Sequence, residues 1–135
     1  MALQFSVSVR NAQLDSFETA TGTSAIMKIR SGSAPATCAT ADSGTVLATL
    51  NLPSDWMAAA SSGSKAKSGT WEDTSADATG TAAHFRIYAS DGTTCHAQGT
   101  VTATGGGGDL TVDNTSFASG QSFTVTTFSL TAGNA

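Results

Sequence analysis

The stretch HFRIYASDGTTCHAQGTVTAT, residues 84–104, decides the fold of this 135-residue chain. At its start, Phe85 and Ile87 alternate with polar neighbours, which is the two-residue period of a β-strand with one apolar face. An Asp-Gly pair follows at positions 91–92, and this pair favours a tight turn because glycine readily adopts a positive φ. Since the alternation resumes after the turn, the stretch predicts a β-hairpin with one face in the core.

The same two-residue period extends outward from the hairpin in both directions. Upstream it predicts strands near residues 25–30 and 46–52, separated by an aperiodic loop rich in small residues. Downstream it predicts strands near 110–112 and 122–132, the second with a bulge near 126–127 where the apolar parity changes. Six to eight short strands with frequent turns predict a mainly all-β chain, folded as an antiparallel β-sandwich or small barrel.

The N-terminal part has a different pattern. Leu14 and Phe17 are three residues apart, which favours a short amphipathic helix that reaches about Ala20 and ends at Gly22. Strand or coil is expected before it, up to about Val9. The chain is therefore divided into an N-terminal arm or helix, residues 1–22, and a single β-sandwich domain, residues 23–135.

Composition excludes several classes of protein. Ala, Thr, Ser and Gly supply 77 of the 135 residues, and only 16 residues are charged, for a net charge of −4. A nucleic-acid partner is not expected, because binding phosphates requires a basic face. A membrane partner is not expected either, since no run approaches the ~18 apolar residues of a spanning helix.

Motifs for catalysis or cofactor binding are weak. The glycine run at 105–108 precedes an aspartate and a strand, whereas a phosphate-binding loop requires Gly-Lys-Ser/Thr at the start of a helix. Glu72, Asp73 and Asp77 lack the spacing of a calcium-binding loop. We therefore expect no enzyme activity, no cofactor and no catalytic residues.

The two histidines and two cysteines are candidate zinc ligands, because zinc is bound by imidazole nitrogens and thiolates. Alternation along a strand puts Cys95 and His96 on opposite faces, with Cys95 inward and His84 beside His96 on an exposed face. This separation argues against a metal site. Cys38 and Cys95 are compatible with one disulfide or with two free thiols, and free thiols are favoured.

Three segments together resemble small Ala/Thr/Gly-rich virion structural proteins of tailed bacteriophages. The segments are LPSDWM at 52–57, GTAAHFRIY with its DGT turn at 80–93, and DLTVDN through GQSFTV at 109–125, continuing to Leu130. The resemblance covers the chain from about Ile29 to its end. It implies a protein of the virion, and within that class a capsid decoration (cement) protein.

The resemblance also implies partners. These are the major capsid protein and further copies of the chain, with a homotrimer as the expected assembly, and the location is the phage particle. A tail or neck component is the alternative role. The candidate interface residues come from the N-terminal arm or helix and from the two tryptophans, as core or interface anchors: Phe5, Val7, Leu14, Phe17, Trp56 and Trp71.

A surface-binding module, such as a receptor or carbohydrate binder on the particle, is the rival function. Such a module needs an exposed aromatic platform, because sugar rings and similar ligands stack on aromatic faces. The exposure of Trp56, Trp71 and Tyr88 therefore separates the two interpretations.

Overall fold

A computed structural model describes residues 3–133 of the chain. The predicted outer bounds of the two domains, residues 1 and 135, lie outside this range. One helix and eleven strands are found within it. They are α1 (Val7–Thr21), β1 (Ile26–Arg30), β2 (Val46–Asn51), β3 (Ser64–Ala66), β4 (Trp71–Asp73), β5 (Gly80–Thr81), β6 (His84–Tyr88), β7 (Cys95–Ala103), β8 (Leu110–Val112), β9 (Ser116–Phe117), β10 (Phe123–Val125) and β11 (Ser129–Thr131).

Five strands form the main sheet, in the order β2-β1-β6-β7-β8. Three two-stranded sheets, β10-β4, β11-β3 and β5-β9, complete the fold. The prediction of a mainly β chain with one N-terminal helix is confirmed. More strands are present than the six to eight predicted, because several contain only two or three residues and show no periodicity. The predicted strand 122–132 is two strands, β10 and β11, each paired with a different partner.

One pairing in the main sheet is parallel, namely β7 with β8. A short connection normally joins antiparallel strands, whereas parallel neighbours need a long crossover. Here the glycine run at 105–108 provides the exception. Gly105 and Gly107 have φ values of 89° and 80°, which other residues rarely adopt, so the chain doubles back within a few residues.

The helix begins earlier than predicted. Ser6 caps it, since its hydroxyl accepts a hydrogen bond from the Val9 backbone N–H at 3.2 Å. Residues 7–9 are therefore helical, and the expectation of strand or coil up to Val9 is wrong. The predicted end is confirmed: Gly22 has a φ of 90°, and its N–H donates to the Glu18 carbonyl.

The core contains side chains from the main sheet and from the small sheets. A row of aromatic rings in contact crosses the core, and neighbouring ring centroids are 5.4–6.0 Å apart. In spatial order, the rings belong to Phe17, Trp56, Trp71, Phe128 and Phe85. Phe17 comes from α1 and Phe85 from β6, so one continuous set of ring contacts joins the helix to the sheet. Edge-to-face and tilted packing of this kind adds to the gain from burial.

The hairpin β6–β7 forms as predicted, but its turn is longer. The connection spans residues 89–94, where the Asp91 carboxylate accepts hydrogen bonds from the N–H groups of Thr93 and Thr94 at 2.8 and 2.9 Å. The register shifts after Ile87, so that Tyr88 faces Cys95. Because of this bulge, Cys95 lies opposite Tyr88 and not on the core face where alternation placed it.

Candidate interaction surface

The structure divides the six predicted interface residues into two groups. Trp56 and Trp71 are 0% exposed and Leu14 is 8% exposed, while Phe17 is half-buried against Trp56. These four residues belong to the core, so their assignment to an intermolecular surface is corrected. Phe5 and Val7 are 41% and 46% exposed and therefore lie at the surface, and their part in an interface stays a prediction.

Burial also removes the aromatic platform on which the rival function depends. Trp56, Trp71 and Tyr88 are all 0% exposed. The indole N–H of Trp56 donates to the Gly22 carbonyl at 2.9 Å, and that of Trp71 donates to the Trp56 carbonyl at 3.1 Å. Each buried polar group therefore has a partner, and these rings present no face to a ligand.

Ion pairs around a buried lysine attach the helix to the β body. Lys65 is 1% exposed, and its ammonium lies 2.7 Å from Asp15 and 3.1 Å from Glu18 on α1. It also donates to the Ala58 carbonyl at 2.9 Å. Burial acts to lower the pKa of Lys65, but the hydrogen bonds and charges of the two carboxylates outweigh it and raise that pKa. The ammonium therefore stays charged, and it fixes the middle of the helix.

Further polar contacts extend this attachment along α1. The guanidinium of Arg10 donates to the Ala132 carbonyl at 3.2 Å, and the Asn11 side chain accepts from the Gly63 N–H at 2.9 Å. Glu18 accepts from the Met57 N–H at 3.0 Å. From Arg10 onward the helix belongs to the same folded unit as the strands, so the prediction that residues 1–22 form a separate arm is too broad.

The segment before this attachment is exposed and uncharged. Residues 3–9 read LQFSVSV, and all seven are exposed. Within residues 3–133, the large hydrophobic side chains that remain exposed all lie here: Leu3 at 73%, Phe5 at 41%, Val7 at 46% and Val9 at 43%. Several exposed apolar side chains within one short segment of a polar surface are typical of a site for protein contact. Leu3 and Val9 are not among the interface residues predicted from the sequence.

A second buried cluster lies on the opposite face of the main sheet. The loop 31–44 covers this face and is fixed there by Asp42. The Asp42 carboxylate accepts hydrogen bonds from Arg30 at 3.0 Å, from Tyr88 at 2.7 Å and from Arg86. Arg86 is 2% exposed and Tyr88 is fully buried, so the sheet side of this cluster is shielded from water, whereas the Asp42 side chain on the loop is 37% exposed.

Arg86 makes more of the hydrogen bonds that attach the loop to the sheet than any other residue does. Its guanidinium donates to the carbonyls of Thr37, Cys38 and Thr40 at 3.0–3.1 Å and to the Gln98 side chain at 3.1 Å. Burial acts to raise the pKa of Asp42, but the hydrogen bonds from Tyr88 and Arg86 and the charges of both arginines outweigh it, so the pKa is lowered.

The histidines do not come together. His84 is 1% exposed, and its Nδ1 lies 2.7 Å from the Gly32 carbonyl under the loop, whereas His96 is exposed. His84 pairs with Thr100 across the hairpin, so the expectation that the two histidines share an exposed face is wrong. Within residues 3–133, no three His, Cys, Asp or Glu side chains are placed to bind one metal ion.

A cleft of about 380 Å³ is open and lies at the C-terminal end of α1. Glu18, Gly22 and Asp55 are among its lining residues, together with small hydroxyl side chains. Glu18 already pairs with the Lys65 ammonium and accepts a hydrogen bond from the Met57 N–H, so this carboxylate is not available to a ligand.

No helix in residues 3–133 has the length and hydropathy needed to cross a lipid bilayer. No known protein family, curated protein or solved structure matches the chain at a significant level.

Proposed function

We propose that the chain is a structural protein of a tailed-bacteriophage particle, and specifically a capsid decoration protein that binds the outer shell. The observation that carries the proposal is the apolar N-terminal surface, Leu3, Phe5, Val7 and Val9, on a chain whose remaining surface is built from small polar residues. A protein that acts through contact area needs such a surface and needs no catalytic group.

Composition supports this role through the free energy of association. Ser, Thr and Ala lose little side-chain entropy when they are immobilised, so a surface rich in them costs little to bury. Many weak contacts on a symmetric shell then add up through multivalency. We propose a homotrimer as the unit that binds, since cyclic assemblies match the symmetry of such sites.

The test compares incorporation into particles of the phage that encodes the chain. The double variant V7S/V9S removes two apolar side chains from the proposed contact surface and leaves the Ser6 cap in place. A matched control, A12S/Q13S, alters two exposed positions farther along the same helix. We expect the control to be incorporated like the wild type and V7S/V9S to be reduced at least about tenfold, as for the loss of two buried contacts.

Quantitative mass spectrometry of purified particles separates the possible roles. Copies in proportion to the major capsid protein support decoration of the shell, whereas a single small ring of copies supports a neck or tail component. Absence from the particles, or equal incorporation of V7S/V9S and its control, would contradict the proposed contact surface. Light scattering of the purified chain tests the trimer.

A further inference from the structure

One cysteine lies on each of two elements that contact each other: Cys38 is in loop 31–44, and Cys95 is at the start of strand β7 in the main sheet. Cys38 lies in a turn in which the Thr40 N–H donates a hydrogen bond to the Thr37 carbonyl at 3.0 Å. The backbone carbonyl of Cys38 accepts a hydrogen bond from Arg86 at 3.0 Å. Because Arg86 is buried on the sheet, this bond fixes the turn close above β6.

Cys95 reaches the same place from β7. The bulge after Ile87 makes Cys95 the partner of Tyr88, whose hydroxyl points to Asp42 in the loop. Residues that face each other on neighbouring strands share a side of the sheet, so Cys95 lies on the loop-covered face. Without the bulge, His96 would occupy this position and Cys95 would lie on the core face.

The Cys95 thiol donates to the Ala97 carbonyl at 3.3 Å, and Cys38 lies close enough to Cys95 to affect its ionisation. Burial, followed by the hydrogen bond and charge of Cys38, raises the pKa of Cys95 to about 11. Both cysteines are half-buried and neither is in a disulfide, and the sequence contains no other cysteine. The fold has therefore placed its only two thiols together at the point where a long loop meets the sheet.

We propose that Cys38 and Cys95 form a reversible intramolecular disulfide that fastens loop 31–44 to the main sheet. Oxidised glutathione, a small-molecule disulfide, is a sufficient oxidant. Cys38 attacks first as its thiolate and releases one glutathione, which leaves a mixed disulfide on Cys38. Cys95 then loses its proton and attacks the Cys38 sulfur, which releases the second glutathione. Two protein thiols are oxidised, and one glutathione disulfide is reduced to two thiols that take up the two protons.

Cys38 is the first nucleophile because the Cys95 thiol is held in its protonated form. The contacts of Arg86 and Asp42 set the rate of the second step, since they hold the turn against β7 before the bond forms. Once formed, the disulfide links two points that are far apart in the sequence, and it stabilises the fold by lowering the conformational entropy of the unfolded chain. This chemistry is independent of the role proposed above.

The test equilibrates the reduced protein with glutathione buffers, traps free thiols by alkylation and measures the intact mass. We expect the wild type to lose the mass of two hydrogen atoms, to regain it with dithiothreitol, and to unfold about 10 °C higher when oxidised. The variants C38S and C95S should instead carry one glutathione on the remaining cysteine.

The effective concentration of the two thiols tests the geometry. It should be at least about tenfold higher in the native chain than in the chain unfolded by guanidinium. Asp42→Asn should lower it several-fold by loosening the loop, while Asp109→Asn, which alters a carboxylate bonded to Thr100 farther along β7, should not. Equal values in native and unfolded chains, or uptake of two glutathiones without a protein disulfide, would overturn the proposal. An unchanged value in Asp42→Asn would contradict the part assigned to the loop anchor.

Discussion

The two faces of strand β6 are both buried, but different forces hold them. On the inner face, Phe85 and Ile87 pack into the aromatic and aliphatic core. On the outer face, Arg86 and Tyr88 lie beneath loop 31–44 and are attached to it through Asp42. Every residue of this five-residue strand is buried, so the same backbone allows apolar packing and ionic hydrogen bonding to be compared directly.

The comparison shows that equal burial does not mean equal dependence on geometry. Apolar burial is non-directional and scales with area, so a neighbouring side chain can shift to fill part of a defect. A buried charge needs each of its partners, because losing one leaves the others desolvated and unpaired. Two nitrogens on the outer face, Arg30 Nε and His84 Nε2, are buried without a partner among the described residues. The outer face is thus attached to the loop by strong hydrogen bonds, but two of its buried nitrogens make none.

The largest expected effect is on the inner face. Phe85→Ala removes a ring that packs edge-to-face on Phe128 at 5.7 Å, and it should lower the free energy of unfolding by about 3–5 kcal/mol. Urea denaturation measures this change, and hydrogen exchange should accelerate throughout the core. Val9→Ala at the exposed N-terminal surface is the control and should change stability by less than about 0.5 kcal/mol. A loss confined to one loop in Phe85→Ala would contradict the assignment of Phe85 to the shared core.

The adjacent residue gives the matched test of the outer face. Arg86→Met keeps a long unbranched side chain but removes the donors that serve three loop carbonyls and Asp42, so we expect a loss of about 3 kcal/mol. Here the damage should be local. Hydrogen exchange and protease cleavage should increase first in residues 31–44, before the strands open. If the core and the loop opened together, the two faces would not be energetically separate.

The inner face was predictable from the sequence and the outer face was not. Alternation around Phe85 and Ile87 places apolar groups on one side, which is sufficient to predict a strand of a β fold. Nothing local indicates that Arg86 is buried, because its partners lie in a loop more than forty residues earlier in the chain. Alternation alone predicts such a face to be exposed.

The candidate interaction surface shows the same limit. Trp56 and Phe5 are both large aromatic residues near polar neighbours, and the sequence gives no reason to separate them. Tertiary contacts decide the difference: Trp56 is enclosed by Phe17 and Trp71 and donates to the Gly22 carbonyl, whereas Phe5 precedes the helix cap and stays 41% exposed. The helix itself was predictable from Leu14, Phe17 and Gly22, but its start depended on recognising Ser6 as the cap.

The smallest of the three effects concerns Asp42, whose side chain is 37% exposed and therefore partly screened by solvent. Asp42→Asn keeps the shape of the side chain and removes the charge, so we expect a loss of about 1–2 kcal/mol at neutral pH. The folded state lowers the pKa of Asp42, so the ionised form contributes stability above the unfolded-state pKa of about 3.9. That contribution is lost as the pH falls through the lower, folded-state pKa.

Unfolding measured from pH 7 to pH 2 in both chains isolates this contribution, because the other carboxylates titrate in both and cancel in the difference. The stability gap between wild type and Asp42→Asn should be constant above about pH 5 and should narrow below about pH 4. Asp91 lies in the hairpin turn, where hydrogen bonds from Thr94 and Thr93 lower its pKa to about 2. Asp91→Asn is therefore a control: it removes another low-pKa carboxylate and should leave hydrogen exchange in loop 31–44 unchanged. A gap that widens as the pH falls would mean that the Asp42 carboxylate destabilises the outer face, so that the loop is held by Arg86 and its carbonyl partners alone.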